Sequence, residues 1–357
     1  MTRTLYDPAF EHDACGVGVV ADLTRERTHR TIADALVILE NLEHRGATGA
    51  DVDSGDGAGV LMQMPDEAVR RWFEQVPPLG EYGVAQWMID RSVTAQFART
   101  TERFAERLGL QSLGWRDVPV DSSILGPTSA SSEPRFVMQL LASRTARSSR
   151  DLENALFCLR RLVEHDTGAY AASCSSTVLV YKGMLSNPQL RRYFADLTDP
   201  VLASAVAVVH SRFSTNTLPR WELAQPFRFI AHNGEINTIR GNRNWITARE
   251  TTLHAETLPV PLGELTPIIT ESMSDSASFD EVVELLVRAG RSLPHAILMM
   301  VPEAWERSTT MDPERRDFYR YHAALMEPWD GPASITFCDG RVVGAVLDRN
   351  GLRPARY

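Results

Sequence analysis

Asp13-Ala14-Cys15-Gly16-Val17-Gly18 opens a strand at the front of the chain, and the remaining residues read as the scaffold that holds and feeds the Cys15 thiol. Val17, Val19 and Val20, with Gly18 between them, form an apolar run that puts the sulfur at a strand start. Gly16 leaves the backbone beside it bare enough for a ligand to approach. Cleavage between Ala14 and Cys15 would place a new α-amine on the residue that carries the thiol. An α-amine has an ordinary pKa of about 7.7–8.0, so one residue would supply both nucleophile and general base near neutral pH. Alone, the hexapeptide equally suits a small buried cysteine packed like an alanine; the rest of the chain decides between the two.

Composition narrows the classes. A length of 357 residues accommodates about two domains or one large layered domain with a full core. With 43% hydrophobic and 23% charged residues, disorder is excluded as the main state. A net charge of −9 argues against a nucleic-acid backbone as partner, and Arg70-Arg71 and Arg315-Arg316 read as solvated helix faces. Cys15, Cys158, Cys174 and Cys338 show neither a Cys-x-x-Cys nor a Cys-His metal spacing, which fits a reducing, cytoplasmic compartment without a zinc site or a disulfide framework. The residues before Cys15 include Asp7, Glu11 and Asp13 and lack the apolar centre of a secretory signal. The longest apolar runs, 205–209 and 296–301, fall far short of a membrane span.

Along the chain, Ile32, Leu36, Leu39 and Leu42 predict a helix over 31–42, with Gly46 as its stop. The loop 48–59, with Ser54-Gly55-Asp56-Gly57-Ala58-Gly59, precedes a strand at 60–64. Phosphate loops run strand, glycines, helix, so this one reads as close backbone packing beside the thiol. Further helices are predicted at 65–75, 92–108, 151–165 with Asp151 as cap, 187–197, 241–254, 279–289 and 313–326. Strands are predicted at 83–89, 135–141, 170–175, 177–181, 203–210, 229–232, 296–301, 333–337 and 342–347, the last two joined by an Asp339-Gly340 turn. The Ser/Pro-rich stretch 121–134 reads as an exposed loop, and Cys158 as core. Strands in hairpin-like pairs separated by helices favour packed antiparallel sheets under helical outer layers.

Three polar strings carry chemistry. Arg212, in His210-Ser211-Arg212-Phe213-Ser214-Thr215-Asn216, leaves a buried strand and offers a rigid fork for a carboxylate, or for a neighbouring Asp. In Ala231-His232-Asn233-Gly234-Glu235-Ile236-Asn237, the Asn233 side chain and the Gly234 backbone N–H form a donor pair suited to an oxyanion, although Asn-Gly also makes a ready turn. In Glu271-Ser272-Met273-Ser274-Asp275-Ser276, Asp275 suits an ammonium group, while Asp275 or Ser276 would serve equally as a helix cap. Amine, thiol, carboxylate clamp, ammonium clamp and donor pair together describe a site for an amino acid with a cleavable side-chain amide, glutamine or asparagine.

With these residues assembled, the chain closely resembles the class II glutamine amidotransferase domain of the N-terminal nucleophile hydrolases, in the form found at the front of the glutamate synthase large chain. The strings that carry the resemblance are the opening hexapeptide, Leu42-Glu43-His44-Arg45-Gly46-Ala47, Gly55-Asp56-Gly57-Ala58-Gly59, His210 to Thr217, His232 to Asn237, and Leu347-Asp348-Arg349-Asn350-Gly351-Leu352-Arg353-Pro354. The resemblance implies an α+β, four-layer αββα fold and hydrolysis of L-glutamine to glutamate and ammonia through a Cys15 γ-glutamyl thioester. It implies a propeptide over 1–14 and an amidotransferase domain over 15–357 whose C-terminal end looks truncated. Carried over by residue, Cys15 is the nucleophile, Asn233 and Gly234 the oxyanion hole, Arg212 the α-carboxylate clamp and Asp275 the α-ammonium clamp. Thr215 lines the site and Arg45 stands near the Cys15 terminus. Family members continue into domains that bind FMN and an iron-sulfur cluster, so no cofactor is expected in this segment. The implied partners are those remaining synthase domains and a small NAD(P)H-oxidising subunit. The competing readings are an amidotransferase half serving another acceptor, such as a sugar or aspartate, and a catalytically silent glutamine-sensing or assembly module.

Overall fold

A computed structural model describes residues 16–47, 51, 53–92, 94–214 and 217–355; Cys15, Thr215 and the expected propeptide 1–14 lie outside the described residues. The elements run β1 (Val17–Ala21), α1 (His29–Asn41), β2 (Ala58–Gln63), α2 (Asp66–Trp72), β3 (Tyr82–Ile89), α3 (Thr94–Arg107), β4 (Leu110–Asp117), α4 (Pro127–Ser131), β5 (Arg135–Ser143), α5 (Ser149–Thr167), β6 (Tyr170–Ser175) and β7 (Val178–Gly183). They continue through α6 (Asn187–Tyr193), β8 (Val206–Ser211), β9 (Ile230–Gly234), α7 (Ile239–Arg249), α8 (Asp275–Arg288), α9 (Leu293–Met300), α10 (Pro313–Ala323), β10 (Ala333–Cys338) and β11 (Val343–Leu347).

The strands form antiparallel sheets in the orders β1-β8-β2-β7, β4-β5-β3-β6 and β11-β10-β9. Strand β3 shows how the layers stack, because successive side chains leave a strand on opposite faces. Its Ala85, Trp87 and Ile89 join a core with Phe97 of α3 and Leu152, Leu156 and Leu159 of α5. Its Tyr82, Val84 and Met88 join a second core with Val60 and Met62 of β2 and Ile32, Leu36 and Leu39 of α1. One sheet is thus apolar on both faces, covered by helices outside and by the second sheet inside, which is the α+β, four-layer αββα arrangement.

The polar face of α5 is buried as well, and it is charged. Arg160 pairs with Glu164 and, at 2.5 Å, with Glu284 of α8. Arg161 pairs with Glu281 at 3.3 Å, and Arg228 with Glu164 at 2.8 Å.

Several sequence expectations change. The run 296–301 is not a strand but most of α9: Ser292 caps it, with its hydroxyl accepting the His295 N–H at 3.4 Å, and a proline sits in its first turn. The six-residue apolar run 296–301 is buried at every position but Leu298, so it carries no period to separate helix from strand. Strand β4 has no counterpart in the sequence reading; it is a partly exposed edge strand whose register shifts near Gly114. Strands β6 and β7 are not a hairpin, since they enter different sheets and the chain crosses between layers at Ser176 and Thr177. Glu153 of α5 pins that crossing by accepting from the hydroxyls of Ser175 and Ser176 at 3.0 and 2.7 Å. Helix α5 is capped by Ser148, which accepts the Asp151 N–H at 3.2 Å, rather than by Asp151. Within 121–134, Ser129 is fully buried and its hydroxyl donates to the Met184 carbonyl at 2.7 Å.

Candidate functional site

Strand β8 lies between β1 and β2, and its last residues stand opposite their first: Val17 faces His210 and Ala58 faces Ser211. The Ser211 N–H donates to the Gly16 carbonyl at 2.7 Å, so the residue next to Cys15 in sequence is fixed at the end of β8. A Cβ at Gly16 would press on the Ser211 carbonyl and come within 3.9 Å of the Asn233 side-chain nitrogen. Gly16, Arg45, Arg212, Asn233, Gly234 and Asp275 all line one cavity of about 600 Å³. Of the residues picked out from sequence, Cys15 and Thr215 lie outside the described residues; every other one is brought to this cavity.

Arg212 is only 6% exposed, and its fork is held by neutral oxygens. One terminal nitrogen donates to the Asp56 carbonyl at 3.0 Å; the other donates to the hydroxyls of Ser214 at 3.0 Å and Thr217 at 2.8 Å. Among the described residues no carboxylate oxygen lies within 4.0 Å of its nitrogens. Burial pulls the Arg212 pKa down, against the pull of the Asp56 and Asp275 charges. The loop before β2 is the holder: the Arg212 N–H donates to the Gly57 carbonyl at 2.8 Å, and the Asp56 carboxylate accepts the Ser214 N–H at 2.7 Å. Burial raises the Asp56 pKa, while the Ser214 N–H and Arg212 oppose that rise. The glycine-rich string therefore serves the arginine, a more specific role than backbone packing.

Helix α8 brackets β9 and brings Asp275 to the same place. The Asp280 carboxylate accepts the Phe229 and Ile230 N–H groups at 2.9 and 3.1 Å, where β9 begins. Asp275 accepts the Ile236 N–H at 2.9 Å, just past its end. Ser274, not Asp275 or Ser276, caps the helix, its hydroxyl accepting the Ala277 N–H at 3.2 Å. Asp275, in the first turn, is left half-buried and facing the cavity. Gly234 has φ +140°, and a Cβ there would run into the Pro332 carbonyl, so only glycine lets the Asn233-Gly234 corner approach β10 this closely. Arg45 ends a short 3-10 turn after α1, and Gly46 closes it in an extended conformation rather than a left-handed stop.

Sequence reasoning missed His210, Gln225, His232 and Arg353, which also line the cavity. The histidines stood in quoted strings at the ends of two buried strands, which was a usable signal; Gln225 offered none. Arg353 arrives because the Asp348 carboxylate gathers the N–H groups of Asn350, Leu352 and Arg353 at 2.9–3.0 Å and folds the tail back. Among the described residues no group of three or more His, Cys, Asp or Glu is disposed to hold a metal ion. No helix among them is long and apolar enough to cross a membrane. A buried guanidinium, a carboxylate and amide donors around one cavity suit a zwitterionic ligand with a polar side chain.

Residues 15–357 match the family model described as class-II glutamine amidotransferases. The chain is 44% identical over 376 residues to the NADH glutamate synthase of Saccharomyces cerevisiae, covering 99% of this chain and 17% of that protein. It is 43% identical over 364 residues to the NADPH glutamate synthase large chain of Bacillus subtilis, covering 99% of this chain and 24% of that one. With ferredoxin-dependent glutamate synthase 2, chloroplastic, of Arabidopsis thaliana it shares 40% identity over 369 residues, 99% of this chain and 23% of the relative. The chain spans a quarter or less of the length of these curated relatives. By the family match over nearly its whole length, the chain belongs to the class-II glutamine amidotransferases.

Proposed function

We propose that the cavity takes L-glutamine and that Cys15, freed at a new N-terminus by removal of residues 1–14, cleaves its side-chain amide. The observation that carries this reading is Arg212, a buried guanidinium held in place by neutral oxygens in the cavity that Asp275 and Asn233 also line. Arg212 takes the α-carboxylate, Asp275 the α-ammonium, and Thr215 adds to the wall. The Cys15 thiolate attacks the amide carbon, and the oxygen that gains charge is met by the Asn233 side chain and the Gly234 N–H. The Cys15 α-amine passes the thiol proton to the departing nitrogen, so ammonia leaves and a γ-glutamyl thioester remains. Water then breaks the carbon–sulfur bond, giving glutamate and restoring the thiol. Arg45 supports the Cys15 terminus.

The names of the relatives extend the proposal: the segment is the ammonia-supplying part of a glutamate synthase, in which the released ammonia is used elsewhere in a longer protein. FMN, an iron-sulfur cluster and a small NAD(P)H-oxidising subunit belong to that larger assembly. The described part of this segment does not fit an iron-sulfur cluster, because Cys158, Cys174 and Cys338 are each buried and free, with thiol pKa values raised by burial. Free cysteines accord with a cytoplasmic setting. Ammonia release from glutamine by the full-length natural protein tests the reading. Wild type releases ammonia, asparagine is a poor substitute, and Cys15→Ser releases none; activity in Cys15→Ser at the wild-type rate ends the assignment.

A further inference from the structure

Strands β8 and β9 belong to different sheets, yet their ends carry the two halves of the site, Arg212 on one and Asn233-Gly234 on the other. Side chains span the gap. The His210 Nε2 lies 3.0 Å from the His232 carbonyl oxygen, and as that partner is an acceptor, the ring donates. Gln225 grips the same residue on both sides: its side-chain oxygen accepts the His232 N–H at 2.7 Å and its nitrogen donates to the His232 carbonyl at 3.2 Å. The His232 ring contacts the Ser276 hydroxyl at 2.8 Å, and that hydroxyl donates to Asp275 at 3.2 Å. His210, Gln225 and His232 are 2–6% exposed and all line the cavity.

We propose that His210 and Gln225 are positioning residues for the oxyanion donors, fixing the His232 peptide so that Asn233 and Gly234 stand against the strand end that carries Gly16 and Arg212. The proposal rests on the amide-hydrolysis reading of the same cavity. A carbonyl that accepts from two side chains, and an N–H taken by one of them, cannot drift without breaking several buried hydrogen bonds, and Asn233 is the next residue. Burial pushes the His210 pKa down to about 3, so the ring stays a neutral donor throughout the working pH range. Donors aimed at a developing oxyanion act on the transition state, whereas Arg212 and Asp275 hold the substrate in ground and transition states alike. Loosening the bridge therefore lowers kcat and spares KM.

The test uses Gln225→Leu, His210→Ala and His210→Gln in the full-length natural protein, with glutamine hydrolysis and hydrogen exchange over 230–237 as readouts. The first two variants lower kcat about 10- to 100-fold, in line with the cost of displacing catalytic groups by about 1 Å, and change KM less than about threefold. Exchange over 230–237 speeds up in both, and His210→Gln, whose amide N–H restores a donor, recovers most of the lost kcat. If Gln225→Leu does not fold, Gln225→Glu keeps the acceptor and removes the donor with the same expected split. Wild-type kcat in folded variants, a rise in KM in place of the fall in kcat, or unchanged exchange over 230–237 overturns the proposal. An inactive wild type instead overturns the amide-hydrolysis reading, and the exchange measurement still judges the bridge.

Discussion

Arg212 at the cavity and the Arg160–Arg228 cluster beneath α5 and α8 are all at most 6% exposed, yet their partners differ in kind. Arg160 and Arg228 end on carboxylates of Glu164 and Glu284, themselves nearly buried, so charge meets charge and the interface is complete. Arg212 ends on a carbonyl and two hydroxyls, neutral oxygens that fix its direction where it lines the cavity. The first arrangement is a structural tie between packed elements, and the second is, on the proposed reading, a cation held ready for an entering carboxylate. Burial of an arginine does not separate the two; the charge of its partners does.

That contrast breaks if Arg160→Met and Arg212→Met behave alike. Removing one partner of a buried ion pair costs about 3–5 kcal/mol, so Arg160→Met melts far below wild type or fails to fold. Arg212→Met keeps a near-native melting temperature and loses about 100-fold or more in kcat/KM for glutamine, the scale of a desolvated charge contact. Equal melting losses in the two variants would merge the regions. Asn233→Ala sharpens the contrast inside the cavity, lowering kcat by about 100- to 1000-fold with KM nearly unchanged; a loss confined to KM would reassign Asn233 to substrate binding.

Smaller effects come from the buried rings. His210 has a folded-state pKa of about 3 against an ordinary 6.5, because burial disfavours its charged form. Below pH 6.5 the unfolded chain therefore takes up a proton that the folded chain refuses. The stability contributed by neutral His210 is complete above pH 6.5 and is lost as pH falls toward about 3, reaching about 2 kcal/mol at pH 5. Denaturant melts of His210→Gln fall off less steeply with acid over this window, and parallel curves for variant and wild type would contradict the assignment. Ser276→Ala is the mildest change: the Ser276 backbone N–H still holds Asp275 at 2.7 Å, so KM rises only about two- to threefold, measured by initial rates.

The range of the interactions decides how much of the fold and of the site was legible in the sequence. Helix α1 and strand β3 declared themselves because their apolar spacing is local and one or both faces are buried. The run in α9 did not, since six consecutive apolar residues, all but Leu298 buried, show no period, and β4 did not, since a partly exposed edge strand need not be apolar. Arg212, Asn233 and Gly234 stand out in the sequence at the ends of buried strands and Asp275 in a loop before a helix, and the fold gathers them. Gln225 and Asp56 escaped because their importance lies in gripping a backbone seven residues away and one 158 residues away, which no local pattern records.

The most direct test of the account is an intact-mass measurement after the protein has met a chloroketone analogue of glutamine. The account predicts a chain that begins at Cys15 and gains one adduct on that residue, with excess glutamine protecting it and Arg212→Met slowing its formation sharply. An active chain that keeps Met1, or an adduct on Cys158, Cys174 or Cys338 with Cys15 untouched, would contradict it.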